Sequence, residues 1–547
     1  MIYAADTETT KNPDGSMRVW LADICEVNSF SHLTFTSLDE LFSWAFRESE
    51  TPMLYLHNLK FDGSYIVNWC HDNGYKFTET GKEPMTYNML VTDRSAWFMG
   101  CITNKDGQQV IIRDSLKKIP LSVAQIAKAY NLPMSKGEID YKAYRPIGYE
   151  PTVEEISYIR KDTEIVARAL NIHFHEGMTK LTAPADALEF FKGTCDFNRL
   201  FVPDWWASHH SAERFCRNAY CGGISWVNPE IKEQEVRHGF VYDYNSMYPS
   251  VMLKYPYPLG TPVRFYNNVP DGFDLYIARC FVKIYRKPGK PACIRDPVSK
   301  VWIEDEFEGE IYLTSADVII LQKCYYGECN ILDGYCWKGI KGVFDEYINY
   351  WAEIKKKSKG AMRQLAKFML NSLYGKFGTN PTRAHKSPKW DKGFLQWETL
   401  PPDEGKCFNV AVAAFVTAWS RTELVEGIEH CVGFCYCDTD SVHVASIDGK
   451  AAKFTGKTHP TEFGCWKLEN RFVRAKYLRQ KTYIEEKADG KLLIAACGCP
   501  NTSRNYITYD NFKMGASYKG KLRPVMRPGG LELVETRFTI RAPYRAF

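Results

Sequence analysis

Two aspartates lie between short apolar runs in residues 436–441, which read Tyr-Cys-Asp-Thr-Asp-Ser. The flanking runs have β propensity, so the pattern predicts a hairpin with Asp438 and Asp440 at its turn. A buried unpaired carboxylate is costly, and a divalent cation is a natural partner for a pair of them. Taken alone, the stretch fits a metal site and a solvated turn equally well.

A third acid belongs with this pair. The apolar run 240–242 leads into Asp243, and we interpret this carboxylate as the partner of Asp438 and Asp440. The run predicts a strand, after which Pro249 is expected to close a turn. Tyr248, held by that proline, would form a wall below a sugar ring.

Four acids from three distant segments form a second candidate metal site. Asp6 and Glu8 end the first predicted strand and share one face of it, and Asp62 follows a later apolar run. Asp162 lies on a predicted helix, four residues after Tyr158 and on the same side. If the acids converge, they can hold two divalent ions that activate a water for phosphodiester cleavage, and Tyr158 would orient that water. The simpler alternative is an α/β domain with ordinary surface acids.

The basic stretch 344–376 carries many cations and few acids. It predicts a helix on which Arg363, Lys367, Asn371 and Tyr374 form one stripe. Such cations suit a triphosphate, and the ring suits a base or sugar. A solvated basic face is the usual interpretation of a charge run. A separate leucine-rich face argues against that interpretation here.

Two further stretches have the composition of ligand-binding segments. Residues 471–483 carry five cations interleaved with aromatic side chains, which favours contact with a phosphate backbone. Gly222 and Gly223 follow Tyr220 just before a β-prone run. The two glycines would allow a ligand to approach the backbone closely, although a simple turn explains them as well.

The composition is that of a folded enzyme with several domains. The 547 residues are too many for one core, and 45% of them are hydrophobic. The net charge of +5 is too small to indicate nucleic acid by itself. The 18 cysteines form no Cys-x-x-Cys pair, and a zinc site at Cys431, Cys435 and Cys437 would match no common module. With no signal peptide and no membrane-length apolar run, we expect a reducing cytoplasmic location.

Several of these stretches together resemble a known family. Residues 243–249, 367–375 and 436–441 look like motifs A, B and C of family B DNA polymerases, in the family's order. Residues 481–483 are similar to its Lys-x-Tyr motif and 220–223 to its Tyr-x-Gly-Gly motif. The N-terminal acidic segments resemble the three exonuclease motifs of DnaQ-like 3′–5′ proofreading domains. The compact length and two insertions are similar to the protein-primed replicases of small linear-genome bacteriophages.

The resemblance implies an α/β multidomain fold, with an RNase H-like (DnaQ-like) 3′–5′ exonuclease domain followed by a right-hand polymerase domain of palm, fingers and thumb with two insertions. The implied ranges are an exonuclease domain at 1–182, palm parts at 183–254 and 407–518, insertions at 255–341 and 379–406, fingers at 342–378 and a thumb at 519–547. The first insertion would contact a priming terminal protein. The second would support processivity and strand displacement.

For the polymerase half, the resemblance implies that Asp243, Asp438 and Asp440 are catalytic. Asp243 and Asp440 would hold the metal ions directly, and Asp438 would be a supporting acid. Nucleotide contacts are implied for Tyr248, Lys355, Arg363, Lys367, Asn371 and Tyr374. DNA contacts are implied for Tyr220, Gly222, Gly223, Lys481 and Tyr483.

For the exonuclease half, the implied metal ligands are Asp6, Glu8, Asp62 and Asp162. Tyr158 would orient the water and Lys136 would assist the reaction. Contacts to single-stranded DNA are implied for Asn58, Phe61, Ser115 and Leu116.

The implied activity is DNA-dependent DNA polymerisation with 3′–5′ proofreading, replicating a linear viral genome from a terminal-protein primer with strand displacement. The expected partners are primer-template and single-stranded DNA, dNTPs and the terminal protein, with the enzyme a monomer in the host cytoplasm. Two Mg²⁺ ions would serve each active site, with Mn²⁺ able to substitute. The alternatives are a DNA-binding 3′–5′ exonuclease without polymerase activity and a noncatalytic replication scaffold. The intact acids of both sites argue against the scaffold.

Overall fold

A computed structural model describes residues 1–137, 139–141, 143–405, 408–447 and 449–542. The predicted domain ranges also include residues 138, 142, 406, 407 and 448, and the predicted thumb includes 543–547; all of these lie outside the described part. None of the helices in the described ranges is long and apolar enough to cross a membrane.

The N-terminal region is built on one eight-stranded sheet with the order β3-β2-β1-β4-β8-β7-β6-β5. Its strands are β1 Ile2–Lys11, β2 Met17–Glu26, β3 His32–Phe35, β4 Met53–Leu56, β5 Lys76–Phe77, β6 Thr86–Val91, β7 Trp97–Thr103 and β8 Gln109–Asp114. Its helices are α1 Leu38–Ala45, α2 Asp62–Asp72, α3 Val123–Ala129 and α4 Val153–His175. Because β1, β4 and β8 run parallel, the segments that follow β4 and β8 meet at one edge of the sheet.

The prediction that Asp6 and Glu8 end their strand is wrong. β1 continues to Lys11, because residues 9–11 still pair with 17–19 of β2. The acids therefore project from the middle of a rigid strand. The predicted helix around Tyr158 is confirmed as α4, which begins with a capping box between Thr152 and Glu155.

The second region begins with helices and then enters a central sheet. Its first elements are α5 Ala183–Lys192, α6 Phe197–Phe201, α7 Pro203–Ser208, α8 His210–Asn218, β9 Ser225–Val227, β10 Glu235–Tyr244 and α9 Met247–Lys254. Pro249 was expected to close a turn, but it lies in the first turn of α9. That position has no intrahelical N–H partner, so a proline is tolerated there.

Residues 255–341 form a four-stranded sheet of order β12-β15-β13-β14 and a helix packed beside it. The elements are β11 Tyr257–Pro258, β12 Val263–Tyr266, β13 Leu275–Arg286, β14 Glu306–Thr314, α10 Ser315–Cys324, β15 Tyr325–Trp337 and β16 Gly339–Ile340. The sequence predicted an irregular β-prone segment and missed α10. Its capping box at Thr314 and Asp317 was the available signal.

The predicted single basic helix is two helices. They are α11 Asp345–Lys357 and α12 Gly360–Phe377, and Gly360 has a φ of +56° at the start of the second. Lys355 is therefore on α11, whereas the stripe from Arg363 to Tyr374 lies on α12 as predicted. Two small hairpin sheets follow, formed by β17 Thr382–Arg383, β18 Lys386–Asp391, β19 Phe394–Thr399 and β20 Asp403–Glu404.

The chain then completes the central sheet, which has seven strands in the order β27-β26-β25-β10-β23-β22-β9. The remaining elements are α13 Val410–Glu429, β21 Cys431–Val432, β22 Phe434–Asp438, β23 Ser441–Ser446, β24 Lys453–Phe454, β25 Trp466–Arg479, β26 Thr482–Glu486, β27 Leu492–Ala496, α14 Asn501–Arg504, β28 Ser517–Arg527 and β29 Gly530–Thr539. Helix α13 is buried almost all round, as expected of a helix in the middle of a core.

Candidate active sites

The acidic turn lies at one end of the central sheet. Strand β22 ends at Asp438 and β23 begins at Ser441, so Thr439 and Asp440 form a two-residue hairpin turn, as predicted. Thr439 has a φ of +56°. Its backbone N–H donates to the carbonyl of Ile224 at 2.7 Å, which ties the turn to the chain entering β9.

The third acid is held beside this turn by the backbone. Asp243 lies near the end of β10, where it pairs in register with Ser441 of β23. The next N–H along, from Tyr244, donates to the carbonyl of Asp440 at 2.7 Å. The two strand ends are thereby fixed together, and the predicted association of Asp243 with the acidic turn is confirmed as a spatial arrangement.

The three acids differ in their electrostatic surroundings. Burial, followed by repulsion from Asp440, raises the pKa of Asp243 to about 7. Burial, followed by repulsion from Asp438, raises the pKa of Asp440 to about 6. Asp438 instead forms an ion pair with Lys481, with Nζ at 2.7 and 2.9 Å from its two oxygens, and accepts a hydrogen bond from the Tyr436 hydroxyl at 3.2 Å.

Asp243 and Asp440 fit a divalent cation, because each is a half-buried oxygen donor that, among the described residues, has no cationic partner as close as that of Asp438. Within the described residues, no three His, Cys, Asp or Glu side chains are arranged to hold a metal by themselves. Mg²⁺ commonly takes only one or two protein carboxylates and completes its shell with water and substrate phosphates. The pair matches that pattern.

The predicted nucleotide contacts lie beside the acids. The rings of Tyr248 and Tyr374 are 4.3 Å apart with planes inclined by 31°. Lys355 Nζ donates to the Ser246 hydroxyl at 3.0 Å, and Arg363 Nη1 donates to the Lys355 carbonyl at 2.6 Å. Although a break separates α11 from α12, Lys355 and Arg363 therefore still lie next to each other.

The cations of this group are crowded. Burial, with repulsion from Arg363 and Lys367, lowers the pKa of Lys355, while Asp243 opposes that shift. Lys367 and Asn371 are exposed on α12. A polyanion entering between the cations and the acids would relieve the repulsion among the cations.

The predicted DNA-contact residues fall into two groups. Lys481 and Tyr483 border the acidic turn, since the Lys481 N–H donates to the Tyr436 hydroxyl at 3.0 Å and the Tyr483 ring lies 5.2 Å from the Tyr436 ring. Gly223 packs on the turn from the other side: a Cβ there would lie 2.9 Å from the Thr439 side chain. No larger residue fits at 223 without moving the turn.

Gly222 is exposed, and Tyr220 packs against Gly378, where a Cβ would come within 2.6 Å of the tyrosine ring.

Sequence reasoning missed the residue that holds this segment. Arg421 is buried, and its Nη1 donates to the carbonyls of Cys221 and Gly222, each at 2.8 Å. A lone arginine within the apolar helix α13 was the signal.

The four N-terminal acids lie near one another, as predicted, although no three of them in the described residues are placed to ligate one ion by themselves. Burial, followed by repulsion from Asp62, Glu8 and Asp162, raises the pKa of Asp6 well above its usual value. Burial raises the pKa of Glu8 to about 8 and that of Asp62 to about 6. Thr7 Oγ1 donates to Asp62 Oδ1 at 2.6 Å. Mutual repulsion among buried oxygens again fits a site for cations.

Lys136 and Tyr158 reach the same site. Lys136 Nζ lies 2.6 Å from Asp162 Oδ2, while Asp162 Oδ1 is buried and has no hydrogen-bond partner among the described residues. The Tyr158 hydroxyl is 2.6 Å from that of Tyr141, an exposed residue that the sequence did not single out. Lys136 currently neutralises one of the four acids, so a metal and this lysine would share Asp162.

The expected contacts to single-stranded DNA lie at the shared edge of β4 and β8. Asn58 is exposed with a φ of +75°, and Phe61 and Leu116 are half-buried. Ser115 is completely buried: its hydroxyl donates to the Leu56 carbonyl at 3.1 Å and lies 2.9 Å from His57 Nδ1. Its side chain therefore braces the turn, and any contact with DNA is left to its backbone.

Comparison with known proteins gives one consistent result. The family model described as DNA polymerase type B, organellar and viral, matches residues 46–153 and 144–452. The DNA polymerase of Bacillus phage B103 is 36% identical over 99% of both chains.

The structure is similar to Phi29 DNA polymerase with primer-template DNA, at a TM-score of 0.90 and 33% identity over 98% of this chain and 99% of that one. It is similar also to the complex of that polymerase with primer-template DNA and incoming nucleotides, at a TM-score of 0.89 and 32% identity over the same shares. The expected fold class is thereby confirmed.

The ion pair of Asp438 predicts unequal effects of the two turn acids. We expect Asp440→Ala to reduce primer extension by about a hundredfold or more, since it removes one of the two carboxylates that would hold the metal ions. Asp438→Ala should cost less, because Lys481 already neutralises that charge. Single-nucleotide incorporation rates with Mg²⁺ measure both. Equal losses in folded proteins would contradict the division of roles.

The raised pKa values predict proton release on metal binding. With Asp243 at about 7 and Asp440 at about 6, protons compete with Mg²⁺ near pH 6 and much less at pH 8, so affinity should rise with pH. Calorimetric titration in buffers of different ionisation enthalpy counts the released protons. We expect more release at pH 6 than at pH 8, and less in Asp243→Asn. Proton release that is unchanged by pH and by this substitution would count against Asp243 and Asp440 as the metal ligands.

Proposed function

This chain belongs to the organellar and viral type B DNA polymerases, and we propose that it extends a primer on a DNA template and edits the 3′ end with its own exonuclease. It is a DNA-directed DNA polymerase, and the alternative of an exonuclease without polymerase activity is not supported. The proposed mechanism rests on the half-buried pair Asp243 and Asp440, whose backbones are joined by the hydrogen bond from the Tyr244 N–H to the Asp440 carbonyl.

In the polymerase site, Asp243 and Asp440 would hold two Mg²⁺ ions, with Mn²⁺ able to substitute. Such ions stabilise the charge on the attacking and leaving oxygens of a phosphoryl transfer. The primer 3′-hydroxyl attacks the α-phosphorus of the dNTP, the bond to the bridging oxygen breaks, and pyrophosphate leaves. Asp438 keeps Lys481 in place beside the turn.

The cations on α11 and α12 bind the triphosphate. Lys355, Arg363 and Lys367 supply positive charge from one side, and Asn371 lies further along the same stripe. The Tyr248 and Tyr374 rings, 4.3 Å apart, form the wall of the sugar and base pocket. A tyrosine ring below C2′ leaves little room for a ribose hydroxyl, so this wall selects deoxynucleotides.

The primer terminus lies against Lys481 and Tyr483, and the template against Tyr220, Gly222 and Gly223. The Lys481 ammonium pairs with Asp438, and the side chain is still 54% exposed, so it can contact DNA as well. A solved relative holds primer-template DNA and incoming nucleotides, which supports these partners here.

In the exonuclease site, Asp6, Glu8, Asp62 and Asp162 would hold the two ions that activate water and stabilise the leaving 3′-oxygen. Tyr158, buried beside Asp162, orients the attacking water, and Lys136 balances the charge of Asp162 until a metal binds. Phe61 stacks on a terminal base without regard to its identity, and Asn58 and Leu116 hold the strand.

The insertions suit the remaining roles. Residues 255–341 would contact a terminal protein whose hydroxyl primes replication of a linear viral genome. Residues 379–406 would support strand displacement and processivity, since Trp390 of β18 stacks on His71 at 3.9 Å and so holds this hairpin on the exonuclease domain. The enzyme would act as a monomer in the host cytoplasm. Covalent labelling of a neighbouring gene product with a dNMP in the presence of this enzyme and Mg²⁺ tests the priming role.

Separate sites predict separable activities. Asp6→Ala combined with Glu8→Ala should lower 3′–5′ degradation by about a thousandfold, because it removes metal ligands, and leave extension within about twofold. Degradation of a labelled single strand and extension of a matched primer, measured on the same preparation, test this. If a folded double variant loses both activities together, the two-site assignment fails. Wild-type protein that degrades primers but never extends them at any dNTP concentration would reject the polymerase mechanism.

A further inference from the structure

The expected strand-binding surface of the exonuclease domain is braced from within. Asp114 Oδ1 accepts hydrogen bonds from the N–H groups of Asn58 and Leu116, at 3.1 and 3.0 Å. The Ser115 hydroxyl lies 2.9 Å from His57 Nδ1, and His57 Nε2 lies 2.7 Å from the Leu121 carbonyl. The segment after β4 and the turn after β8 are therefore hydrogen-bonded into one unit.

That unit is attached to the polymerase half by a buried ion pair. The Lys118 side chain is completely buried, and Nζ donates to the Lys180 carbonyl at 2.8 Å and to Asp186 Oδ2 at 2.5 Å. Asp186 lies in the first turn of α5, and its other oxygen accepts the Lys180 N–H at 2.8 Å. Residues 180–186 thus hold the lysine through both a carboxylate and a carbonyl.

Burial disfavours both charges of this pair. It lowers the pKa of Lys118 and raises that of Asp186, and each charge partly offsets the shift of the other. Buried ion pairs often stabilise a fold no better than apolar side chains of similar volume, whereas their directional hydrogen bonds accept few geometries. The pair is thus better explained by the placement of the turn than by stability.

We propose that Lys118 and Asp186 are positioning residues for proofreading: they fix the strand-binding turn 114–119 against the start of the polymerase half, so that a primer end leaving the polymerase site meets a preformed exonuclease groove. This inference rests on the proposed exonuclease function. Neither side chain is accessible to DNA, so both act through Ser115 and Leu116 on the same turn.

The experiment compares Lys118→Met/Asp186→Leu with the wild-type protein. The double variant replaces the pair by apolar groups of similar size and leaves no unpaired charge, so its melting temperature should stay near that of the wild type. Lys128→Met, at an exposed lysine on α3, is the matched control for loss of one cation from the same domain. Exonuclease kcat and KM are measured on a labelled single-stranded oligonucleotide with Mg²⁺, and extension is measured on a matched primer-template.

We expect KM for the single strand to rise by about tenfold in the double variant, because small displacements of a binding group cost that much or more. The exonuclease kcat, the extension rate and the control should stay within about twofold. An unchanged KM, or a parallel fall of kcat and extension, would overturn the positioning role. Failure of the wild-type protein to degrade the strand at all would instead reject the proposed exonuclease, and the positioning role with it.

Discussion

The polymerase half depends on one electrostatic constraint: two carboxylates are held close together in a place where neither is well solvated. Asp243, near the end of β10, and Asp440, in the β22–β23 turn, are 197 residues apart in the chain, yet the Tyr244 N–H donates to the Asp440 carbonyl at 2.7 Å and fixes them together. Burial, followed by repulsion from Asp440, raises the pKa of Asp243 to about 7, and burial, followed by repulsion from Asp438, raises that of Asp440 to about 6. Backbone hydrogen bonds therefore hold the two carboxylates in an electrostatically unfavourable arrangement, and a bound cation would make it favourable.

Much of the surrounding structure serves to hold that arrangement. Thr439 can take its left-handed conformation against the chain at Ile224 because Gly223 has no side chain to displace it. Arg421 holds the carbonyls before that glycine, and its pairing with Asp317 at 2.7 Å joins the first insertion to the same segment. The turn is therefore connected to residues outside the central sheet, first through Ile224 and then through Arg421 and Asp317.

Features that depend on local spacing and propensity could be predicted from the sequence. Asp438 and Asp440 at a hairpin turn, Tyr158 and Asp162 on one helix, and the stripe on α12 followed from spacing and propensity. The family resemblance supplied the fold class and the association of distant acids. Neither the charge run nor the apolar spacing predicted the break before Gly360, because both continue on either side of it. Contacts such as Lys481 with Asp438 and Lys118 with Asp186 depend on tertiary packing, which no local pattern encodes.

The most direct test of the central claim is a crystal structure of this polymerase with primer-template DNA, a non-hydrolysable dNTP and Mn²⁺, measured at the manganese absorption edge. We expect anomalous density for two ions beside Asp243 and Asp440, with Asp438 still paired to Lys481. Anomalous density centred on Asp438, or none between Asp243 and Asp440 while nucleotide is bound, would contradict it.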